Sequence, residues 1–460
     1  MFKNATSAYR LFDPSTSEKF GKLLYKIGKD SSARKHHDIA TRWLERAYDI
    51  LTEQYLDHLN DDASELKVVI LQRLVKSLLA LQTDEDTKKA KVLIDLMEKD
   101  YPDKSVVSSL RLALLSKQQS QDPEAYFSVT MRFIGSMMLT KPNFKLLMYH
   151  IHSLRKLDSS LACKALDELL SLRLFPTGND SWVERATVMR VWISILHSNE
   201  QDQIPTIAAL MGHLDLTLQN VKYTFSKSGA HAAQTLIWKQ IESAYNEQRQ
   251  YKSAQAWCHI ALHPLFANGG NFNKAKICRK IVLSSLACGD FDDARVAFFS
   301  MTDVDRPAPQ SQYLLFKLAS CSGDAELAAS SLENLANSEL EEAAELLHAC
   351  VLETQKARDK NQITAALLKV LESYNCRDEP GFLRWSLLLR STIRMLEAEL
   401  ENELKSEKNL DQNLIEEICK TFEAGNYTNN SCHSITLLTF TSCPQIARMA
   451  YSHRKKSVSL

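Results

Sequence analysis

Glycine and proline are scarce, with 12 glycines and 11 prolines in 460 residues, about one residue in twenty against roughly one in eight on average. Sandwiches, propellers and barrels need those residues for their many tight turns, so such architectures are excluded. Nucleotide-binding α/β folds need glycines where the backbone meets phosphate, and neither GxGxxG nor GxxxxGK(S/T) occurs. Net charge is also lacking: 56 Lys+Arg stand against 56 Asp+Glu, which argues against a nucleic-acid footprint spread over the whole sequence. No apolar run approaches the roughly 18 residues of a membrane span. Met1–Thr6 opens no apolar leader, so secretion is not expected and the sequons at Asn4, Asn426 and Asn429 carry no weight. The 10 cysteines include no CxxC pair and read as reduced thiols of the cytosol or nucleus.

What is present is amphipathic helix. From about Ser17 to Ala424 nearly every segment carries apolar residues at i, i+3, i+4 spacing, and 45% of the chain is hydrophobic, enough to build a core. Polar stretches at Asn60–Asp62, Thr83–Asp86, Thr177–Asp180, Asn268–Asn271 and Arg306–Pro309 read as loops. Helices of ordinary length with short connections point to an internal repeat.

The spacing fits the tetratricopeptide (TPR) pattern of roughly 34 residues, in which small residues let helix B approach helix A and large ones fill the flanking holes. In the middle of the chain the pattern places Trp238, Ile241 and Tyr245 on helix A, with Ala254, Cys258 and Ala261 on helix B. Glu242 stands where a small residue is usual. The next unit has Gly289-Asp290-Phe291, Ala294 and Phe298; Ala328 falls one period, 34 residues, after Ala294, again preceded by Gly-Asp. Ala254 and Ala294 are 40 residues apart, the Asn268–Asn271 loop absorbing the excess. Near the N-terminus, Leu24, Ile27 and Gly28 precede Ala40, Leu44 and Ala47, and Leu74, Leu78 and Leu81 precede Ala90, Ile94 and Met97.

The expected fold is therefore all-α, an irregular TPR-like α-solenoid forming a right-handed superhelix of helix pairs. It comprises an N-terminal arm (1–16), the superhelix (17–424, clearest in units 21–52, 71–102, 235–266, 275–301 and 309–336) and an irregular tail (425–460). Phe144–Phe175, Val183–Leu218 and Glu341–Tyr374 read as degenerate pairs, and Phe382–Leu404 and Asn413–Ala424 as long helices. Ile435–Phe440 could form a strand, and the basic His453–Lys456 reads as a solvated tail. No capping helix is visible, so the chain is expected to stop before its superhelix does.

Chemistry has little to work with. Cys258, His259 and His263 have metal-like spacing, but Pro264 follows at the helix end and Cys258 occupies a core position. His150, His152 and His36-His37 read as surface or packing residues. No GxSxG occurs, and Cys278, Cys288, Cys321 and Cys350 lie on apolar faces. No enzymatic activity and no cofactor is expected. A solenoid instead offers a groove lined by helix A. Its candidate residues are Lys22, Tyr25, Lys29 and Ser32 in the first unit, Leu236, Lys239, Ser243 and Asn246 around Trp238, and Lys276 and Arg279 in the following unit. These cations would suit an acidic peptide or a C-terminal carboxylate; the plainer reading is that they are exposed helix positions.

Leu23–Lys29 followed by Ala40–Leu51, most specifically Trp43-Leu44-Glu45-Arg46-Ala47-Tyr48-Asp49, resembles the opening of the meiotic sporulation-specific/Zip-type TPR scaffold family. Family members are longer, and this sequence is expected to lack the C-terminal half of their superhelix. The resemblance implies a non-enzymatic hub at meiotic chromosomes in the nucleus. Such hubs couple crossover-designated recombination complexes to the chromosome axis and promote synaptonemal complex assembly. Implied partners are an XPF-nuclease-like heterodimer, chromosome-axis proteins and other crossover-promoting factors. DNA contact would be indirect, in keeping with the balanced charge, and no individual binding residue is carried over. The alternative is a general TPR adaptor subunit of a cytosolic or nuclear complex.

Overall fold

The computed structural model describes residues 14–52, 61–118, 122–198, 203–338 and 340–357. The expectations for residues 1–13 and 358–460 (most of the arm, the helices at 382–404 and 413–424, the strand at 435–440, the tail and its basic cluster) lie outside the described residues. Every regular element among the described residues is helical.

These residues divide into two compact units. The first runs to Ile237 and includes His263–Asn268. It contains α1 (Pro14–Ala33), α2 (His37–Thr52), α3 (Asp61–Leu81), α4 (Asp84–Asp100), α5 (Ser105–Leu115), α6 (Pro123–Ser136), α7 (Lys141–Arg155) and α8 (Ser159–Leu169). A π turn at Leu170–Leu174 and the short α9 (Phe175–Thr177) lead to α10 (Asp180–Ser198), α11 (Gln203–Asn220) and the start of α12 (Lys227–Glu242). The second unit holds Trp238–Leu262 and the described residues from Gly269. It contains the end of α12, a π turn at Ser243–Glu247, α13 (Tyr251–Ala261), α14 (Asn271–Cys288), α15 (Phe291–Phe299), α16 (Pro309–Ser322), α17 (Ala325–Ala336) and α18 (Glu341–Ala357).

In each unit a helix packs on its successor and also on the helix after that: α1 touches α2 and α3, α3 touches α4 and α5, α14 touches α15 and α16, and α16 touches α17 and α18. Alternate helices thus lie side by side, the arrangement of stacked helix pairs. The fold is an all-α TPR-like solenoid.

Short-range chemistry sets the helix limits. Gly289 and Gly323 adopt φ +77° and +75° at the ends of α14 and α16, and the next residue caps the following helix. Asp290 accepts from the Asp293 N–H (3.2 Å), and Asp324 from the Leu327 N–H (3.1 Å). A Gly-Asp dipeptide is therefore a complete A–B turn, because it joins a left-handed stop to an N-cap. The equivalent turns at Lys35 (φ +65°), Gln82 (φ +59°) and Arg249 (φ +55°) reach the same conformation without glycine.

Several sequence expectations change. Thr83–Asp86 is not a loop: Thr83 caps α4 by accepting from the Asp86 N–H at 3.1 Å, and Asp84, Glu85 and Asp86 form the first turn, where the helix dipole favours acid. Likewise, Asp61 and Asp62 belong to α3. The first helix begins at Pro14, inside the segment read as an arm, since proline tolerates the first helical turn, where its missing N–H costs nothing. The extra residues between Ala254 and Ala294 are partly a 3-10 helix, Pro264–Gly269, with Leu265 and Phe266 buried.

Candidate protein-binding face

The alanines of the repeat lie at helix contacts. Ala40, Ala47, Ala90, Ala254, Ala261 and Ala294 are completely buried, and Ala328 and Phe298 nearly so. Gly28 is buried against α2: a Cβ placed on it would sit 2.7 Å from Leu44 Cγ, so α1 and α2 meet at a distance only glycine allows. Trp238 and Tyr245 behave differently from the packing role assigned to them. Both are half-buried, whereas Trp257 on α13 is completely buried. The π turn at Ser243–Glu247 inserts a residue into the helical register, so the residues after it, Tyr245 among them, depart from TPR spacing.

Trp238 and Tyr245 instead join α12 to α14. Lys276 Nζ lies 4.0 Å from the centre of the Trp238 ring, and Lys280 Nζ lies 4.0 Å from that of Tyr245. These are cation–π contacts. Lys280, largely buried, also pairs with Glu242 Oε1 at 3.3 Å. Asn246 donates to the other Glu242 oxygen, and Ser243 donates to Glu247 Oε2 at 2.6 Å. Further along, Arg279 donates to the Ala275 carbonyl (3.3 Å) and to Gln310. Gln310 then donates to Glu342 on α18 at 3.2 Å, and Lys317 approaches Glu353 at 3.6 Å. One face of the second unit is thus a ladder of long side chains joining successive A helices. Ser243, Asn246, Lys276 and Arg279 contribute to it, and Lys239 and Lys276 are exposed.

Lys22, Tyr25 and Lys29 belong to the first unit. Lys22 pairs with Glu18 one turn earlier at 2.5 Å, Tyr25 packs on the core beside Leu24, and Lys29 is exposed. A second ladder of stacked rings joins α7 to α10. Phe144 lies on Trp182 (4.9 Å between centres, planes 5° apart), and His152 on Trp192 (5.3 Å, 2°). Arg155 stands 4.3 Å over the Trp192 ring.

A polar cluster that no spacing in the sequence announces sits among α8, α10 and α11. Asp167 accepts from Arg190 Nε at 2.9 Å and lies 2.9 Å from His213 Nδ1. Burial opposes ionisation of Asp167, but the His213 hydrogen bond and the Arg190 guanidinium hold its carboxyl below the usual range.

The residues with metal-like spacing are not brought together. His259 Nε2 lies 3.3 Å from Asp293, whereas His263, in the other unit, is buried with Nε2 3.1 Å from Asp215. Among the described residues no group of three or more His, Cys, Asp or Glu could hold a metal. Burial pushes the thiols of Cys163, Cys258, Cys278 and Cys350 up, the opposite of what activates a nucleophile. No helix among the described residues is long and apolar enough to cross a membrane.

Known proteins place the chain. It is similar over 271 residues to the sporulation-specific protein 22 of Saccharomyces cerevisiae, at 22% identity, covering 58% of this chain and 27% of that protein. The matched region thus spans about a quarter of the curated relative. Among solved structures, a circular tandem repeat protein matches at 14% identity, covering 99% of each chain, with a TM-score of 0.19. Yeast Tom70 matches at 11% identity over 92% of this chain and 99% of that one, with a TM-score of 0.20. Residues 1–263 match the family model described as "Meiosis protein SPO22/ZIP4 like"; the chain belongs to this SPO22/ZIP4-like family of meiosis proteins.

Proposed function

We propose that the protein is a non-enzymatic interaction scaffold of meiotic chromosomes in the nucleus. It links crossover-recombination complexes to the chromosome axis and promotes synaptonemal complex assembly. The observation that carries this reading is the family match over residues 1–263. The stacked helix pairs support it, because each unit turns a row of A-helix side chains outward while Cys163, Cys258, Cys278 and Cys350 are buried as packing groups. The partners that fit are proteins: crossover-promoting factors, an XPF-nuclease-like heterodimer and axis components. Balanced charge supports indirect contact with DNA.

Deleting the gene and scoring meiocytes tests the proposal. Crossover number and the length of assembled synaptonemal complex should both fall, while vegetative growth is unchanged. Normal crossing-over in the deletion would refute it. Equal defects in vegetative and meiotic cells would do so as well, and would favour a general adaptor.

A further inference from the structure

We infer that the α12–α14 face of the second unit is a docking surface for an acidic peptide segment carrying an apolar side chain. The inference rests on the scaffold reading and names the chemistry of one partner.

The first observation is a local excess of positive charge on this face. Lys239 and Lys276 are exposed, and neither pairs with a carboxylate among the described residues. Arg279 is bound by the uncharged Gln310 and a backbone carbonyl. Of the carboxylates on α12 and its π turn, Glu242 is engaged by Lys280 and Asn246, and Glu247 by Ser243. The excess ends where the ladder continues, because at α16–α18 Gln310 meets Glu342 and Lys317 meets Glu353. An acidic segment therefore gains on α12–α14 and not beyond.

The second observation is pre-organisation. A lysine ordinarily loses much rotamer freedom when it binds. Here Trp238 already holds the Lys276 ammonium, and Gln310 and the Ala275 carbonyl fix the Arg279 fork, so less of that cost remains for the ligand. The third is an apolar foothold: Phe272, one turn before Lys276 on α14, is 74% exposed. Phe272, Lys276 and Arg279 follow one another at helical spacing, giving an occupant one apolar anchor beside a row of cations.

Fluorescence anisotropy on the full chain tests this with a labelled short peptide of glutamates around one leucine. Controls are the same peptide with lysines for glutamates and a short DNA duplex. The acidic peptide should bind, and more weakly as salt is added. Joint Lys239→Glu and Lys276→Glu exchange should weaken it by roughly tenfold or more, while the lysine peptide should bind that variant better than the unaltered protein. Phe272→Ala should weaken the acidic peptide without changing the salt dependence. An unaltered circular-dichroism melt verifies folding of each variant. Equal binding of acidic and basic peptides would overturn the inference, as would an unaffected double exchange. Tighter binding of DNA than of peptide would also overturn it, assigning the cations to phosphate. Any of these results, together with crossover loss on gene deletion, would leave the scaffold function standing and remove only the acidic partner.

Discussion

Replacing Gly28 by alanine tests the helix-pair packing, because two opposing effects of known size act at that position. Glycine in a helix interior is about 1 kcal/mol less favourable than alanine, so on local grounds the change should stabilise. Tertiary structure opposes it: the new methyl would lie 2.7 Å from Leu44 Cγ and 2.9 Å from Cδ2, about 1 Å inside normal carbon contact. Leu44 is completely buried and cannot swing into solvent. Relief requires an off-rotamer leucine or a wider gap between α1 and α2, each an overpacking cost of about 1–3 kcal/mol. Packing should win, with a net loss of about 1 kcal/mol.

Gly212 on α11 is the matched control, since a Cβ there meets nothing within 4 Å. Gly212→Ala should raise stability by about 0.5–1 kcal/mol. Both positions lie in the first unit, so one urea titration followed by far-ultraviolet circular dichroism reads both through the midpoint of the same transition. A second background sharpens the sign. Leu44→Ala is itself costly, at about 2–5 kcal/mol, but it removes the overlapping atoms; in that background Gly28→Ala should become stabilising. If Gly28→Ala stabilises the unaltered protein as much as Gly212→Ala does, the close approach of α1 and α2 is wrong.

Three further perturbations bear on the interior. Ala294→Leu forces a branched side chain into a completely buried contact and should cost about 1–3 kcal/mol in denaturant titration. His150 is buried against Tyr126, whose O–H lies 2.7 Å from His150 Nδ1; burial lowers the imidazole to about 4. Its folded pKa lies below the unfolded value near 6.5, so the unfolded state binds more protons between pH 6.5 and 4. Stability should be full above that window and fall by about 3 kcal/mol across it, a loss that His150→Gln removes from the pH–stability curve. Asp167→Ala strips the carboxylate from Arg190 and His213, whose side chains are only 7% and 5% exposed. It should cost about 2–4 kcal/mol by thermal melt, discounted from a fully buried pair because Asp167 itself is partly open to water.

Which parts of this molecule were legible in the sequence follows from the range of the interactions that make them. Ala294 and Ala328 could be placed from spacing alone because successive helix pairs repeat their close contacts one 34-residue period apart, and Ala254 and Ala261 from the spacing within their own pair. The Gly-Asp turns at 289–290 and 323–324 were legible for a local reason: one residue stops a helix and the next starts one. The same turns at Lys35, Gln82 and Arg249 carried no such sign, since those residues tolerate φ > 0 only at a cost that surrounding structure must meet. Trp257 has a readable signal that the repeat template does not use: with Ala254, Cys258 and Ala261 it completes an i, i+3, i+4, i+7 face. Asp167, Arg190 and His213 have none: they come from three helices and meet only when the repeats stack.

The candidate face illustrates why the groove of a solenoid is harder to read than its seams. Within a pair, backbones approach closely and the sequence must supply Gly28, Ala40 or Ala294, with few substitutes. Between successive A helices the gap is bridged by long side chains such as Lys276 on Trp238, Lys280 on Tyr245 and Arg279 on Gln310, and many residue combinations can span it. The pattern recorded at those positions is therefore weak even where the contacts are specific. Lys276 does two things at once: it joins neighbouring A helices through the Trp238 ring, and it remains exposed at the surface. A substitution such as Trp238→Ala should consequently act on both, releasing Lys276 from its place while loosening α12 from α14. Stability of the stack and recognition at its surface are coupled through one set of residues, and a single Lys239→Glu exchange, which leaves Lys276 on Trp238, is the perturbation able to separate them.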